Sequence, residues 1–290
     1  YTWDLADHYG PAEDLIGLYH QVLPQMRGEA ALDKIQAFTK WVPRPGPMRR
    51  EMVERAIDVS RERMKVERLD MLQFHWWDYD HPAYLDAMKH MADLQSAGKI
   101  RYLALTNFDT QHMATIVDSG VTLVSNQVQY SLIDQRPQVR MAAYCEANAI
   151  RLLAYGTLCG GLLTDRYLDQ PEPNRAQLTT ASLRKYKQMI DKWGGWALFQ
   201  ELLQAMRGIA DKHSVSIANV ALRWVLDQAA VAGVIAGVRL GISDNRADNA
   251  RAFDLILDEA DTAALEAVTS RSRDLFRRIG DCGDEYRGAW

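Results

Sequence analysis

Two hundred and ninety residues, 48% hydrophobic and 25% charged, describe a globular chain with enough apolar material for a sizeable core, and exclude a disordered one. No apolar run approaches the roughly 18–20 residues of a membrane span, so no membrane insertion is expected. With 34 basic against 38 acidic residues the net charge is −4, which argues against the concentrated basic face of a nucleic-acid binder.

Three cysteines, Cys145, Cys159 and Cys282, are odd in number and widely spaced, with no CxxC pair. That is neither a disulfide framework nor a zinc site. The opening Tyr1-Thr2-Trp3-Asp4 lacks the basic and apolar regions of a signal peptide, and a reducing, cytoplasmic setting is expected.

Along the chain, β-type runs at residues 2–6, 35–40, 71–75, 102–106, 123–127, 151–155 and 234–238 alternate with helical patterns. Helices are expected at 12–26, 48–64, 84–97, 110–119, 137–148, 198–212, 217–229, 246–253 and 258–269. Gly98 and Gly120 close two of them, Pro137 opens another and Asp258 is an N-cap. Residues 160–196, with Pro171, Pro173, Gly194 and Gly195, read as a long irregular loop of the kind that covers a ligand, its Arg184, Lys185 and Lys187 suited to clamping one. No repeat or linker divides the chain, so residues 1–290 are expected to form a single domain.

Strand–helix alternation on this scale means parallel strands with helical crossovers, in a closed barrel or an open doubly wound sheet. Six successive strands finish on polar, charged or aromatic residues: Lys40, His75, Thr106-Asn107, Asn126-Gln127, Tyr155 and Val238-Arg239. In a barrel all such ends meet on one face, where an open sheet would spread them along an edge, and convergence favours an α/β (β/α)8 TIM barrel.

The GxGxxG fingerprint, the phosphate-binding GxxxxGK[ST] loop, HExxH and GxSxG are all missing. His8, His75 and His81 have no ligand spacing, so no metal is expected. Residues 216–228 have a helix-turn-helix texture, but Val220, Leu222 and Trp224 mark a core helix. What remains is Asp4 and Tyr9 at the first strand end, Lys40 at the second and His75 at the third. A phenol with an ordinary pKa of about 10 does not exchange protons readily near pH 7. A neighbouring ammonium lowers that pKa, and a carboxylate holds the ammonium in place.

These residues resemble the aldo-keto reductase family. Asp4 to Gly10 resembles its D-x-A-x-x-Y-G signature, Thr39-Lys40 its strand-end lysine, and Phe74-His75-Trp76 its histidine segment. Gly98 to Tyr102 followed by Leu105 to Phe108 is similar to the GKIR…SNF stretch, with Thr106 for the commoner serine. Asn126 to Tyr130 matches N-Q-x-x-Y. Ala154 to Leu158 followed by Gly160 to Thr164 resembles A-Y-S-P-L…GGLLT, with Gly156-Thr157 for Ser-Pro. The resemblance implies a (β/α)8 barrel that binds NADP(H) in preference to NAD(H) and reduces aldehyde or ketone carbonyls.

In that reading Asp4, Tyr9, Lys40 and His75 are catalytic. Thr106, Asn107 and Gln127 hold the carboxamide, Tyr155 stacks on the nicotinamide, and Gly156, Thr157 and Leu158 follow the pyrophosphate. Arg239, with Arg246 as the other candidate, faces the 2′-phosphate, and Asp248 and Asn249 the adenine. Trp41, Trp76 and Trp77, adjoining Lys40 and His75, are expected to line an apolar substrate pocket. The expected partner is a small carbonyl compound, with no nucleic acid and no membrane, and a homo-oligomer stays open. An NAD-dependent sugar or alcohol dehydrogenase and a cofactor-binding regulatory subunit of low turnover are the alternatives. A family barrel begins with a β-hairpin, a first strand and a first helix that find no counterpart here, and a βα unit takes about 30 residues. The natural chain is therefore expected to extend further upstream.

Overall fold

Short strands, each followed by an amphipathic helix, give a parallel strand–helix repeat. A computed structural model describes residues 2–237, 241 and 244–287, which fall into two compact units. The first comprises Tyr1–Gln127, Ala149–Arg151 and Gly283–Trp290, and the second Val128–Asn148 and Leu152–Cys282.

In the first unit β1 (Thr2–Asp4), α1 (Ala12–Arg27), β2 (Gln36–Trp41), α2 (Arg50–Met64), β3 (Leu69–Phe74), α3 (Tyr84–Ser96), β4 (Ile100–Thr106), α4 (Thr110–Asp118) and the start of β5 (Ser125–Gln129) follow one another. The strands pair in parallel in chain order, β1-β2-β3-β4-β5, the arrangement of a TIM-barrel-like α/β fold. β3 is buried on both faces, as a parallel strand beneath helices must be. Val53, Ile57 and Met64 of α2 and Ala87, Met88, Met91 and Leu94 of α3 recur at helical spacing and supply the buried cover. Asp109 caps α4 by accepting from the His112 amide.

The second unit holds α5 (Met141–Ala147), β6 (Arg151–Tyr155), α6 (Ala181–Trp193), α7 (Trp196–His213), α8 (Ile217–Leu226), β7 (Val231–Val234), α9 (Arg246–Ala250), α10 (Glu259–Thr269) and α11 (Leu275–Ile279). β6 and β7 are parallel, with Leu152 opposite Val231 and Ala154 opposite Val234. Capping boxes open α8 at Ser216 and α10 at Asp258, as the sequence suggested for the latter. The 216–228 stretch is a core helix, with Val220, Leu222 and Trp224 buried.

Two stretches differ from the sequence reading. The loop expected over 160–196 contains α6, capped by Thr180 and burying Tyr186, Met189, Ile190 and Trp193 on one face. Its prolines and glycines lie outside the helix and mask an internal periodicity otherwise rich in lysine and arginine. The last strand ends at Val234 rather than running over 234–238, and the Val238 and Arg239 assignments lie outside the described residues.

A buried ionic knot holds the second unit. Arg136 Nε and Nη2 donate to the two oxygens of Asp134 at 2.8 and 2.7 Å, and Gln129 Nε2 donates to the same carboxylate at 2.7 Å. Arg136 Nη1 donates to the Asp281 carbonyl at 2.9 Å. Asp134 is fully buried and Arg136 nearly so. Truncating Arg136 would leave an uncompensated internal carboxylate, so Arg136→Ala is expected to lower stability by about 3–5 kcal/mol, read as a drop in the urea midpoint.

Candidate active site

Period-two alternation sorts the polar residues of the first unit onto one face of its sheet. Lys40 is opposite Gln73, Gln73 opposite Ala104, and Thr106 opposite Gln127, so these side chains leave the sheet on the same side. Asp4 of β1 joins them. One carboxylate oxygen, Asp4 Oδ2, accepts from Lys40 Nζ in a close ion pair, and the ammonium also donates to the Leu5 carbonyl at 2.9 Å. The other oxygen, Oδ1, accepts from Gln73 Nε2 at 2.7 Å and Gln127 Nε2 at 2.8 Å. Gln127 Nε2 donates in addition to Gln73 Oε1 at 2.6 Å. Gln73, absent from the sequence-derived site, is fully buried at its centre.

Tyr9 follows β1 in a tight turn closed by its amide donating to the Ala6 carbonyl. Asp7 anchors that turn on β2, its amide donating to the Lys40 carbonyl and its Oδ2 accepting from the Val42 amide. Lys40 Nζ lies 5.4 Å from the Tyr9 ring centroid. The expected lowering of the phenol pKa is not found. Partial burial and the Asp4 carboxylate hold Tyr9 above its ordinary value, and Lys40, its charge matched by Asp4, is itself held below its ordinary value by burial. Tyr9 thus keeps its proton near neutrality.

His75 comes directly after β3 and is buried. Burial first, then the positive charge of Arg287, bring its pKa down to about 3, so the imidazole is neutral near pH 7. Its Nδ1 faces the Asn107 amide nitrogen at 3.4 Å, while Nε2 makes no hydrogen bond among the described residues. Thr106 donates to the Gln127 carbonyl at 3.2 Å, which keeps β4 and β5 in register at the site.

Residues 283–287, which the sequence reading left out, close on this site. Arg287 Nη2 donates to the Trp76 carbonyl at 2.6 Å and the Asn107 carbonyl at 2.8 Å, and its guanidinium carbon lies 3.9 Å from the Tyr79 ring centroid. The Tyr286 ring is 6.1 Å from that of His75, and its hydroxyl is close enough to raise Tyr9. Gly283 has a φ of +88°, and a Cβ there would overlap the Asn107 carbonyl and the Arg287 guanidinium. The only sequence cue was a glycine and an arginine near the end of the chain.

The tryptophans separate. Trp41 shares β2 with Lys40, so its side chain leaves the opposite face and packs on Phe74, ring centroids 5.5 Å apart. Trp76 is fully buried against Phe74 and Tyr84. Neither has a face free for a ligand, contrary to the expectation that all three line a pocket. Trp77 is 40% exposed and meets the His75 ring edge-on at 4.2 Å.

In the second unit Tyr155 ends β6, with Lys185 Nζ 5.2 Å from its ring centroid. Gly156, at φ +71°, starts a tight turn covered by Tyr186 of α6, whose hydroxyl stands where a Cβ would be. Thr157 is buried and Leu158 half-buried. Lys187 is paired with Glu172 and Asp191, and Arg184 donates to the Leu178 carbonyl, so both are tied down locally rather than poised as a clamp. Asp248 accepts from Ser216 Oγ at 2.8 Å, and the Asn249 amide donates to the Asn245 carbonyl, holding α9 in place. Arg246 is held by Asp244 through two hydrogen bonds, and Arg239 lies outside the described residues.

Two outcomes follow from this geometry. A histidine held at about 3 against an ordinary 6.5 binds fewer protons folded than unfolded. Its contribution is complete above pH 6.5 and is lost as the pH falls towards 3. Stability should therefore drop from pH 7 to 4.5, with on the order of 2 kcal/mol of the drop absent in His75→Gln, measured by urea unfolding at both pH values. Gly283→Ala should detach residues 283–287, seen as faster amide hydrogen exchange there with the strands of the first unit still protected.

The family profile described as the Aldo/keto reductase family matches residues 1–270. Among similar proteins, Protein tas of Escherichia coli is 29% identical over 240 residues, covering 76% of this chain and 67% of its own. Flagellar radial spoke protein 5 of Chlamydomonas reinhardtii is 32% identical over 179 residues, 56% of this chain. The chain spans only 34% of that protein's length. Among solved structures, a glycerol dehydrogenase from Gluconobacter oxydans superposes with a TM-score of 0.70 at 23% identity, covering 97% of this chain and 82% of its own. An aldo/keto reductase from Klebsiella pneumoniae in complex with NADP and acetate gives 0.67 at 22%, covering 92% and 80%. These two likenesses bear on the fold, and the profile match over nearly the whole length places the chain in the aldo/keto reductase family.

Proposed function

We propose that this protein reduces an aldehyde or ketone to the alcohol, with Tyr9 as the proton donor. The observation that carries the proposal is the buried Asp4–Lys40 ion pair beside the Tyr9 ring, on a strand whose next residue, Trp41, accepts from the amide of a neutral His75 whose Nε2 has no partner among the described residues. A nicotinamide dinucleotide supplies the hydride when bound. The residues of the first unit fit its carboxamide end: Thr106 ends β4 in register with Gln127 of β5, and the Asn107 amide donates to the Gln127 carbonyl.

Each side chain then has a separate task. His75, neutral and covered, donates from Nε2 to the carbonyl oxygen and favours the charge that develops there. Tyr9, its pKa above the ordinary value, is fully protonated near neutrality and gives its proton to the same oxygen. Lys40 stabilises the phenolate left behind, and Asp4 keeps Lys40 charged inside the protein. The same phenol can return the proton in the reverse oxidation, with Lys40 stabilising the phenolate that acts as base.

Trp77 and Tyr286, edge-on to His75 and 6.2 Å apart, offer an aromatic wall to a carbonyl compound with an apolar or ring substituent. In the second unit the proposed contacts of Tyr155, Gly156, Thr157, Leu158, Asp248 and Asn249 with the rest of the cofactor rest on the family resemblance. So does the preference for NADP(H) over NAD(H), since Arg246 is already engaged by Asp244.

Tyr9→Phe should reduce kcat with an aromatic aldehyde such as nitrobenzaldehyde by at least a thousandfold while leaving cofactor affinity, read by fluorescence titration, unchanged. Undiminished turnover would remove Tyr9 from the mechanism. Tight binding of NADPH with no turnover in the parent protein would favour a regulatory subunit.

A further inference from the structure

Asp4 Oδ1, Gln73 and Gln127 form a closed ring of three hydrogen bonds on the polar face of the first unit's sheet. An ionised carboxylate only accepts, so both amides must turn their nitrogens towards it. Gln73 spends one N–H on Asp4, leaving its Oε1 as the acceptor for the second N–H of Gln127. Both protons of Gln127 Nε2 are thus committed inside the protein, and its Oε1 faces away without a protein partner among the described residues. The two amides meet across β4 because Ala104, in register with Gln73, carries only a methyl group.

We infer that Gln73 is a positioning residue that pins the Gln127 amide, whose nitrogen Asp4 already claims, in one orientation, so that Gln127 presents a carbonyl oxygen and selects a ligand carrying an amide N–H donor. This rests on the proposed function, in which that ligand group is the cofactor's carboxamide, and adds a reason why it is an amide. Without Gln73, Gln127 keeps its hold on Asp4 but loses the second acceptor, and its side chain can rotate. The chain then discriminates poorly between a carboxamide and a group of the same shape that only accepts hydrogen bonds.

The test compares the oxidised dinucleotide with its 3-acetylpyridine analogue, in which a methyl ketone replaces the carboxamide, by fluorescence titration of the whole chain. ADP-ribose, which lacks the ring, is the control. In Gln73→Met the preference for the carboxamide dinucleotide should fall roughly tenfold, the worth of one well-placed hydrogen bond, while ADP-ribose binds as before. Gln73→Glu adds a signature that packing alone cannot give. Its protonated acid donates to Asp4 and accepts from Gln127, whereas the ionised acid cannot donate and is repelled by the Asp4 carboxylate from its place beside the Gln127 amide, so the preference should be restored at low pH and weakened as the pH rises and the acid ionises. The parent and Gln73→Met should show no such profile. If Gln73→Met fails to fold, the pH profile of Gln73→Glu decides alone. An unchanged preference in Gln73→Met, or a pH-independent Gln73→Glu, overturns the role of Gln73 only. A parent protein that binds neither dinucleotide overturns the proposed function with it.

Discussion

A single internal carboxylate organises the site. Asp4 lies at the end of β1, the first strand of the sheet, and its two oxygens serve different clients: one the Lys40 ammonium, the other the two glutamine amides. A lysine this deeply covered is costly to keep charged unless a counter-ion touches it, and a carboxylate in the same position is costly without donors. Each satisfies the other, and the glutamines absorb the remaining acceptor capacity. Proton supply beside Tyr9 and the amide oriented towards a ligand therefore share one anchor, and a change at Asp4 cannot affect one without the other.

Around this anchor the sheet supplies direction and the helices supply cover. The face carrying Lys40, Gln73, Thr106 and Gln127 is polar because period-two geometry sends its neighbours the other way. Trp41 and Phe74 accordingly pack together towards the helices, and Phe108, just after β4, joins them against Phe74. The neutral state of His75 is also a product of place: burial alone disfavours the cation, and the nearby guanidinium of Arg287 adds to it. The imidazole is held as a hydrogen-bond donor and acceptor with no charge of its own.

Much of this was legible in the sequence, for identifiable reasons. The strand–helix alternation was strong, and the polar strand ends at Lys40, His75, Thr106 and Gln127 stood out against apolar runs. What escaped had no local signal. Gln73 sits inside an apolar strand and reads as a tolerated polar residue until its partners are seen. Trp41 and Trp76 adjoin Lys40 and His75 in sequence but not in the pocket: Trp41 leaves the other face of β2, and Trp76, just past β3, turns into the core against Phe74 and Tyr84. The helix α6 was hidden by the prolines and glycines around it. The lowered pKa expected of Tyr9 is absent because partial burial and the nearby Asp4 carboxylate both push the phenol up, a balance that no spacing rule reports.

The docking of residues 283–287 has a bearing on how the molecule reaches its working form. Arg287 joins Trp76 and Asn107 across separations of 211 and 180 residues, among the longest loops the chain closes. Contacts that span so much chain return nothing until the loop between them is closed, which disfavours their forming before the local ones. The strands of the first unit can therefore pair, and their helices settle, while His75 still lacks the cation that helps to keep it neutral. Competence at this site is thus expected as a finishing event of self-assembly, after most of the regular structure is in place.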